Sequence, residues 1–170
     1  MKFGMIYGST TGNTLDIAER IMDVLDGRVE ELLDVYDLDF NQLNDYDVVL
    51  VGAPTWDIGE LELNWKEALP GLEDVRLDGL KVAFFGDGDQ HGYPDNFQDA
   101  LGILRDLFIA RGATADIGHW PTEGYDFDAS RGLLDDKFVG LALDELQQEE
   151  LTDERIERWV GQLLTELDVQ

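Results

Sequence analysis

Apolar residues along this chain recur with two periods, and the two alternate. Phe3 to Tyr7 is a short apolar run ending at Gly8, after which Leu15, Ala18, Ile21, Met22 and Leu25 return at helical spacing up to Gly27. The pattern predicts strand, loop, helix. Val29 to Val35 reads as a second strand, Val48 to Ala53 (VVLVGA) as a third and Val82 to Phe85 (VAFF) as a fourth. Trp65, Ala68 and Leu69 mark a short helix between the last two, and Phe97, Leu101, Leu104 and Phe108 line one face of another that Gly112 closes. Ala115 to Trp120 predicts the start of a fifth strand. A long stretch without periodicity follows (PTEGYDFDASRGLLDDK), and Phe138 to Leu143 (FVGLAL) reads as strand again. Thr152 is expected to cap a last helix, with Asp153 and Glu154 in its first turn and Ile156, Trp159, Val160, Leu163, Leu164 and Leu167 as its buried stripe.

Strands that are apolar throughout need cover on both faces, and strands alternating with helices need right-handed crossovers. The expected fold is α/β: a three-layer α/β/α sandwich around a parallel sheet, in one domain spanning residues 1–170. Ligands of such sheets bind beyond the carboxyl ends of the strands, where the strand order reverses. The loops after the first, third and fourth strands are therefore the ones that matter: GSTTGNT, PTWDIGE and GDGDQHGYPDNF.

Composition narrows the chemistry. The 170 residues carry 12 Lys plus Arg against 38 Asp plus Glu, a formal charge of −26. Such a surface repels nucleic-acid phosphates and anionic lipid headgroups, and it favours basic partners. There is no cysteine, which excludes disulfides, zinc-cysteine sites, iron-sulfur clusters and thiol catalysis, so redox chemistry would require a bound cofactor. The N-terminal apolar stretch is too short for a signal or membrane helix, and a cytoplasmic protein is expected. The acids are 24 Asp and 14 Glu, and the bases only 4 Lys and 8 Arg. A Lys-poor, Asp-rich surface repels itself strongly until salt screens it, so a salt-rich cytoplasm is one explanation of the acidity. Docking on a positive partner is the other.

The first loop runs from a strand into a helix N-terminus through Ser9, Thr10, Thr11 and Thr14, with Gly8 and Gly12. Backbone amides, the helix dipole and hydroxyls can wrap a phosphate there. The segment lacks the spacing and the lysine of a Walker loop, and it is not GxGxxG, which suits a terminal phosphate monoester. An ordinary capped helix start explains one hydroxyl but not four. The second loop places Trp56, and the third Tyr93, where a flat heterocycle could be stacked. Two aromatics beside a phosphate cradle fit a planar ring with a phosphorylated side chain. No Ser-His-Asp set is apparent, and the only histidines are His91 and His119, of which His91 is the functional candidate and His119 the structural one.

Over essentially its whole length the chain resembles the long-chain flavodoxins of cyanobacterial and algal type. The resemblance rests on GSTTGNT, APTWDIGELE, GDGDQHGYPDNFQDA, GYDFDASRG, KFVGLALDE and LTDERIERWV. It implies the five-stranded sheet order 2-1-3-4-5, with the long-chain insertion splitting strand five. It also implies FMN, bound non-covalently, with Ser9, Thr10, Thr11, Gly12, Asn13 and Thr14 around the phosphate. Trp56 and Tyr93 would sandwich the isoalloxazine ring, with Pro54 and Thr55 leading into the first of them. Asp57, Ile58 and Gly59 would pass beneath the N5 edge, Gly88 and Asp89 would lie at the pyrimidine edge, and Asp87 would add a carboxylate near the flavin. Asn96, Phe97, Gln98 and Asp144 would sit more peripherally. Two departures stand out: members usually carry Thr where this chain has Asp87, and often an aliphatic residue where it has His91. At Ile58, a turn that needs a positive φ would be strained by the β-branched side chain.

The implied function is a low-potential one-electron carrier cycling FMN through quinone, neutral semiquinone and hydroquinone, with no substrate turnover. A reduced, anionic ring inside a protein at −26 is electrostatically disfavoured, which makes the reduced state a strong donor. The implied partners are basic-surfaced redox proteins such as photosystem I and ferredoxin-NADP reductase, met by a monomer. Two alternatives share the architecture. An FMN-dependent quinone reductase needs an open ring face, which Trp56 and Tyr93 would cover. A phospho-receiver module needs acids after the first strand, where this chain has Gly8 and Ser9.

Overall fold

The computed structural model describes residues 1–56 and 58–170. The apolar runs form β1 (Phe3–Tyr7), β2 (Val29–Asp34), β3 (Val48–Gly52), β4 (Lys81–Asp87) and β5 (Gly140–Leu143). All pair in parallel, in the order β5-β4-β3-β1-β2, which is the expected 2-1-3-4-5. Every residue of β3 and β5 is buried, whereas the edge strand β2 exposes Glu30 and Glu31. Carboxylates on an edge oppose strand addition by another chain.

The helices are α1 (Asn13–Val24), α2 (Leu63–Ala68), α3 (Asp99–Ala110) and α4 (Thr152–Glu166). Because side chains alternate along a strand, the central strands feed two separate cores. Met5, Leu50, Ala83 and Phe85 pack on one face with Ile17 and Ile21 of α1 and Trp159 and Leu163 of α4. Ile6, Val49, Val51, Val82 and Phe84 pack on the other with Trp65 of α2 and Leu101, Leu104 and Phe108 of α3. All four helices thus lie where βαβ crossovers place them, and the loops at the carboxyl ends of the strands meet at one end of the sheet.

Several expectations are corrected. Ala115 to Trp120 does not begin strand five. Thr114 pairs with the start of β4 through a single bridge to Lys81, and Gly118, at a φ of 71°, then turns the chain away. The fifth strand of the sheet is Gly140–Leu143, and FVGLAL is broken at Val139, whose amide donates to the Gly132 carbonyl. The stretch without periodicity builds a small antiparallel sheet from Trp120–Pro121, Leu133–Leu134 and Lys137–Phe138. Thr152 is the first residue of α4 and makes no cap; its hydroxyl donates to Glu145 at 2.9 Å. Phe97 lies ahead of α3 and packs against Tyr125, Phe127 and Phe138, with ring centroids 5.4–5.8 Å away.

Close approach of β5 to β4 depends on Gly140, because an added Cβ would overlap the Phe84 carbonyl. Neither strand can yield, since both are buried along this stretch. Gly140→Ala is expected to cost about 3 kcal/mol or more, read from urea melts as a lower midpoint at unchanged slope. A variant as stable as the parent would show that the sheet can open here.

Candidate functional site

The first loop is shaped from below. Gly8 lies so close to Trp65 that any Cβ would overlap the indole, and its amide donates to the Gly52 carbonyl at 3.2 Å. The Thr10 hydroxyl donates to Glu62, a fully buried carboxylate, at 2.6 Å, and Asn64 donates from its amide to the Ser9 carbonyl at 3.1 Å. The start of α2 therefore braces the loop and directs the Thr10 hydroxyl proton inward. Ser9 Oγ accepts from the Gly12 amide at 3.0 Å, and Gly12, at a φ of 90°, feeds the chain into α1 with no side-chain cap. The first amides of a helix have no partner within it. Thr14 Oγ1 is buried beside them and has no hydrogen-bond partner among the described residues. An uncapped helix start with an orphaned hydroxyl is a donor set in want of an oxyanion.

Trp56 is carried on a hairpin in which Thr55–Trp56 pairs antiparallel with Glu60–Leu61. In three-residue hairpin loops the last position takes a left-handed conformation, and Gly59 does so, at a φ of 81°. The Thr55 hydroxyl accepts from the Ala100 amide at 3.0 Å, which fixes the hairpin to the start of α3. Ile58 is 73% exposed. Asp57 lies outside the described residues, and with it the expectation of strain in the peptide before Ile58.

In the third loop Asp89 organises the turn that presents Tyr93. One of its oxygens accepts from the amides of Gly92 (2.8 Å) and His91 (3.2 Å) and from the Gln147 side chain (3.0 Å), and its carbonyl accepts from the Tyr93 amide. Burial opposes ionisation of Asp89, but the Gly92 amide, Gln147, and the amide and ring of His91 hold its carboxyl below the ordinary range.

These loops open on one cleft of about 820 Å³. Thr11 and Asn13 line it, as do Pro54, Thr55 and Trp56, and Asp87, Gly88, Asp89 and Tyr93. The volume is that of a typical small-molecule site. Six further residues of the wall are absent from the sequence reading: Asp16, Arg20, Glu145, Leu146, Glu149 and Glu150. Asp16 and Arg20 follow Asn13 at helical spacing, a signal the sequence does hold. The other four lie on the loop after β5, beyond Asp144. Arg20 is the one cation among the described lining residues, and Glu145 (2.5 Å), Asp153 (2.6 Å) and Asp16 (3.3 Å) all bind it.

Asp87, the last residue of β4, accepts from the Glu145 amide at 2.9 Å. Burial, only partly offset by that amide and reinforced by the charges of Glu145, Asp144 and Asp89, pushes its carboxyl up to about 7.

Asn96, Phe97, Gln98 and Asp144 stand behind the wall. The Gln98 side chain donates to the carbonyls of Gly86 (3.2 Å) and Leu143 (3.0 Å), tying the ends of β4 and β5 together. Asp144, fully buried, accepts from the amide and side chain of Gln90 and from the Gln147 amide. Asn96 donates to Asp99 at 3.1 Å. His91 is exposed, 3.9 Å from Asp126, and a ring nitrogen of His119 lies 2.9 Å from the Ala115 carbonyl.

Residues 5–159 match the flavodoxin family profile. The chain belongs to the flavodoxin family. It is 49% identical to a flavodoxin of Nostoc sp. across 97% of this chain and 96% of that one. It is 48% identical to flavodoxin 1 of Salmonella typhimurium across 96% and 93%. In three dimensions it is similar to a Fusobacterium nucleatum flavodoxin bound to flavin mononucleotide, with a TM-score of 0.89, 26% identity, and coverage of 97% and 98%. Membership makes this flavodoxin an FMN-binding electron-transfer protein, which decides against the quinone-reductase and receiver alternatives. The donor set of the first loop and the two aromatics on one cleft fit that cofactor.

Proposed function

We propose that this flavodoxin holds one FMN non-covalently, with the phosphate in the Ser9–Thr14 loop and the ring between Trp56 and Tyr93. The observation that carries the reading is the buried Thr14 hydroxyl, without a partner among the described residues, at the uncapped start of α1, on the loop that opens into the cleft lined by both aromatics. Ser9, Thr11, Asn13 and Thr14 would bind the phosphate through amides and hydroxyls, while Gly88 and Asp89 would meet the ring edge. Bound FMN supplies stepwise one-electron chemistry at low potential. The chain's part is to hold the ring, cover its faces and surround it with negative charge. Dithionite titration of the purified protein, followed by visible absorbance, tests this: a bound flavin spectrum that bleaches in two steps is expected, and a colourless protein that takes up no FMN would overturn it.

Trp56→Ala is expected to weaken FMN binding by the ~0.5–1.5 kcal/mol of a lost aromatic pair plus the area term, measured by fluorescence titration of apoprotein. Undiminished affinity would place the ring elsewhere.

The partners we infer are redox proteins with basic docking faces, of the photosystem I and ferredoxin-NADP reductase kind, met by a monomer in the cytoplasm. Among the described residues no helix is long and apolar enough to cross a membrane. Asp16, Asp89, Glu145, Glu149 and Glu150 at the cleft would steer such partners in. Stopped-flow electron transfer should slow as ionic strength rises from low values, and rates indifferent to salt there would remove steering from the account.

A further inference from the structure

Asp87 differs from the other acids of the cleft in what holds it. Asp89 and Asp144 each accept three hydrogen bonds, whereas among the described residues Asp87 accepts only that of the Glu145 amide. Its charged surroundings are of its own sign. Asp89 follows it on the same loop, Asp144 and Glu145 stand at the end of β5, and Glu149 and Glu150 close the wall beyond them. From α1 come Asp16 and Arg20, but the guanidinium is already taken by Glu145, Asp16 and Asp153. The hairpin contributes the uncharged Thr55 and Trp56, and the third loop the Tyr93 phenol. Burial with a single hydrogen bond among charges of its own sign raises this carboxyl to about 7, so a change in local charge changes its proton occupancy near neutral pH. One in the ordinary range would have to move by several pH units before responding.

We propose that Asp87 is the proton-accepting residue of the cofactor cleft, its carboxylate taking up one solvent proton when an electron adds negative charge there and releasing it when the electron leaves. The inference rests on the FMN reading above. The electron comes from the redox partner, the proton from water, and the only bond made in the chain is the O–H of the Asp87 carboxyl. Reoxidation breaks that bond and returns the proton to solvent. Protonation cancels one of the negative charges facing the reduced ring, so Asp87 couples the potential of this flavodoxin to pH.

The test is carbon-13 NMR of protein labelled at the aspartate carboxyls, titrated from pH 5 to 9 as apoprotein, with oxidised FMN, and after full reduction by dithionite. Asp87 is assigned as the resonance missing from Asp87→Asn, with Asp87→Thr as a second variant should the first fold poorly. The expected result is a near-neutral midpoint in the apoprotein, and a midpoint in the reduced protein at least about one pH unit above the oxidised one, tenfold in proton affinity. An Asp87 resonance that titrates in the ordinary carboxylate range in all three forms, or at the same pH before and after reduction, overturns the proposal. Failure of wild-type apoprotein to bind FMN in a fluorescence titration would overturn the FMN reading instead, so the two failures are separable.

Discussion

In molar KCl this flavodoxin is expected to melt on the order of 10 °C higher than in dilute buffer, a few kcal/mol for a domain of this size. The reason lies in where the acids sit as well as in their number. None of the three long helices α1, α3 and α4 carries a basic residue in its last turn. Asp26 and Asp168 follow the carboxyl ends of α1 and α4, against the negative pole of each helix dipole. Among the described residues, of the five non-glycine positions with left-handed φ four are aspartates: Asp26, Asp37, Asp135 and Asp168, at 49–62°. Those are positions where Gly or Asn is cheapest, and a docking face does not require an acid at any of them. Acid enrichment therefore extends to structural turns outside the cleft lining, which is what adaptation to salt predicts and partner docking does not require. The repulsion is between exposed groups within a screening length, so it falls as salt rises. Melting curves that coincide from low to molar KCl would leave partner docking as the explanation.

How far the sequence carried the fold follows from the physics of each element. The first four strands and all four helices were legible because each buries a face of fixed period, and VVLVGA or the α4 stripe admits no other use. Of the fifth strand, Phe138 to Leu143 was legible, but its supposed start was misread because Ala115 to Trp120 is apolar for a different reason: Ala115 is buried from a non-strand backbone and Trp120 from a strand of the small antiparallel sheet. Periodicity reports burial and not pairing. The insertion was illegible because its strands are two residues long and its aromatics, Tyr125 and Phe127, cluster with Phe97 and Phe138 without any repeat.

At the site, the residues on the loops after β1, β3 and β4 were legible from residue type, since hydroxyls at a helix start and aromatics at strand ends have few uses. After β5 the reading stopped at Asp144, because no residue type there stands out as hydroxyls or aromatics do, and so missed Glu145, Leu146, Glu149 and Glu150. Thr10 shows a different limit. Its hydroxyl faces Glu62, a partner 52 residues away that no local pattern connects to it. The weight of Asp87 likewise comes from neighbours distant in sequence, Asp144 and Glu145.

Asp87 sets the second large effect. Its carboxyl is raised from 3.8 to about 7 by burial first and then by Glu145, Asp144 and Asp89. A folded state that holds this proton more tightly than the unfolded chain gains stability that is fully present below about pH 4 and lost as pH rises through about 7. Above that, the protein carries an ionised, poorly solvated carboxylate at a cost of about 2–4 kcal/mol, taking 1.36 kcal/mol per pH unit and allowing for solvent in the cleft. Asn at this position keeps an oxygen for the Glu145 amide and removes the charge. Asp87→Asn apoprotein should therefore match the parent only at or below about pH 4, gain on it progressively as pH rises toward 7, and exceed it by about 2–4 kcal/mol at pH 8, some ~5–10 °C in melting temperature. Urea melts of both proteins across that range decide it, and a difference independent of pH, or a variant weaker than the parent at pH 8, would remove Asp87 as the source. Salt separates the two physical causes. The repulsion from Glu145, Asp144 and Asp89 is screened in molar KCl while the desolvation is not, so the advantage of Asn should shrink there without vanishing.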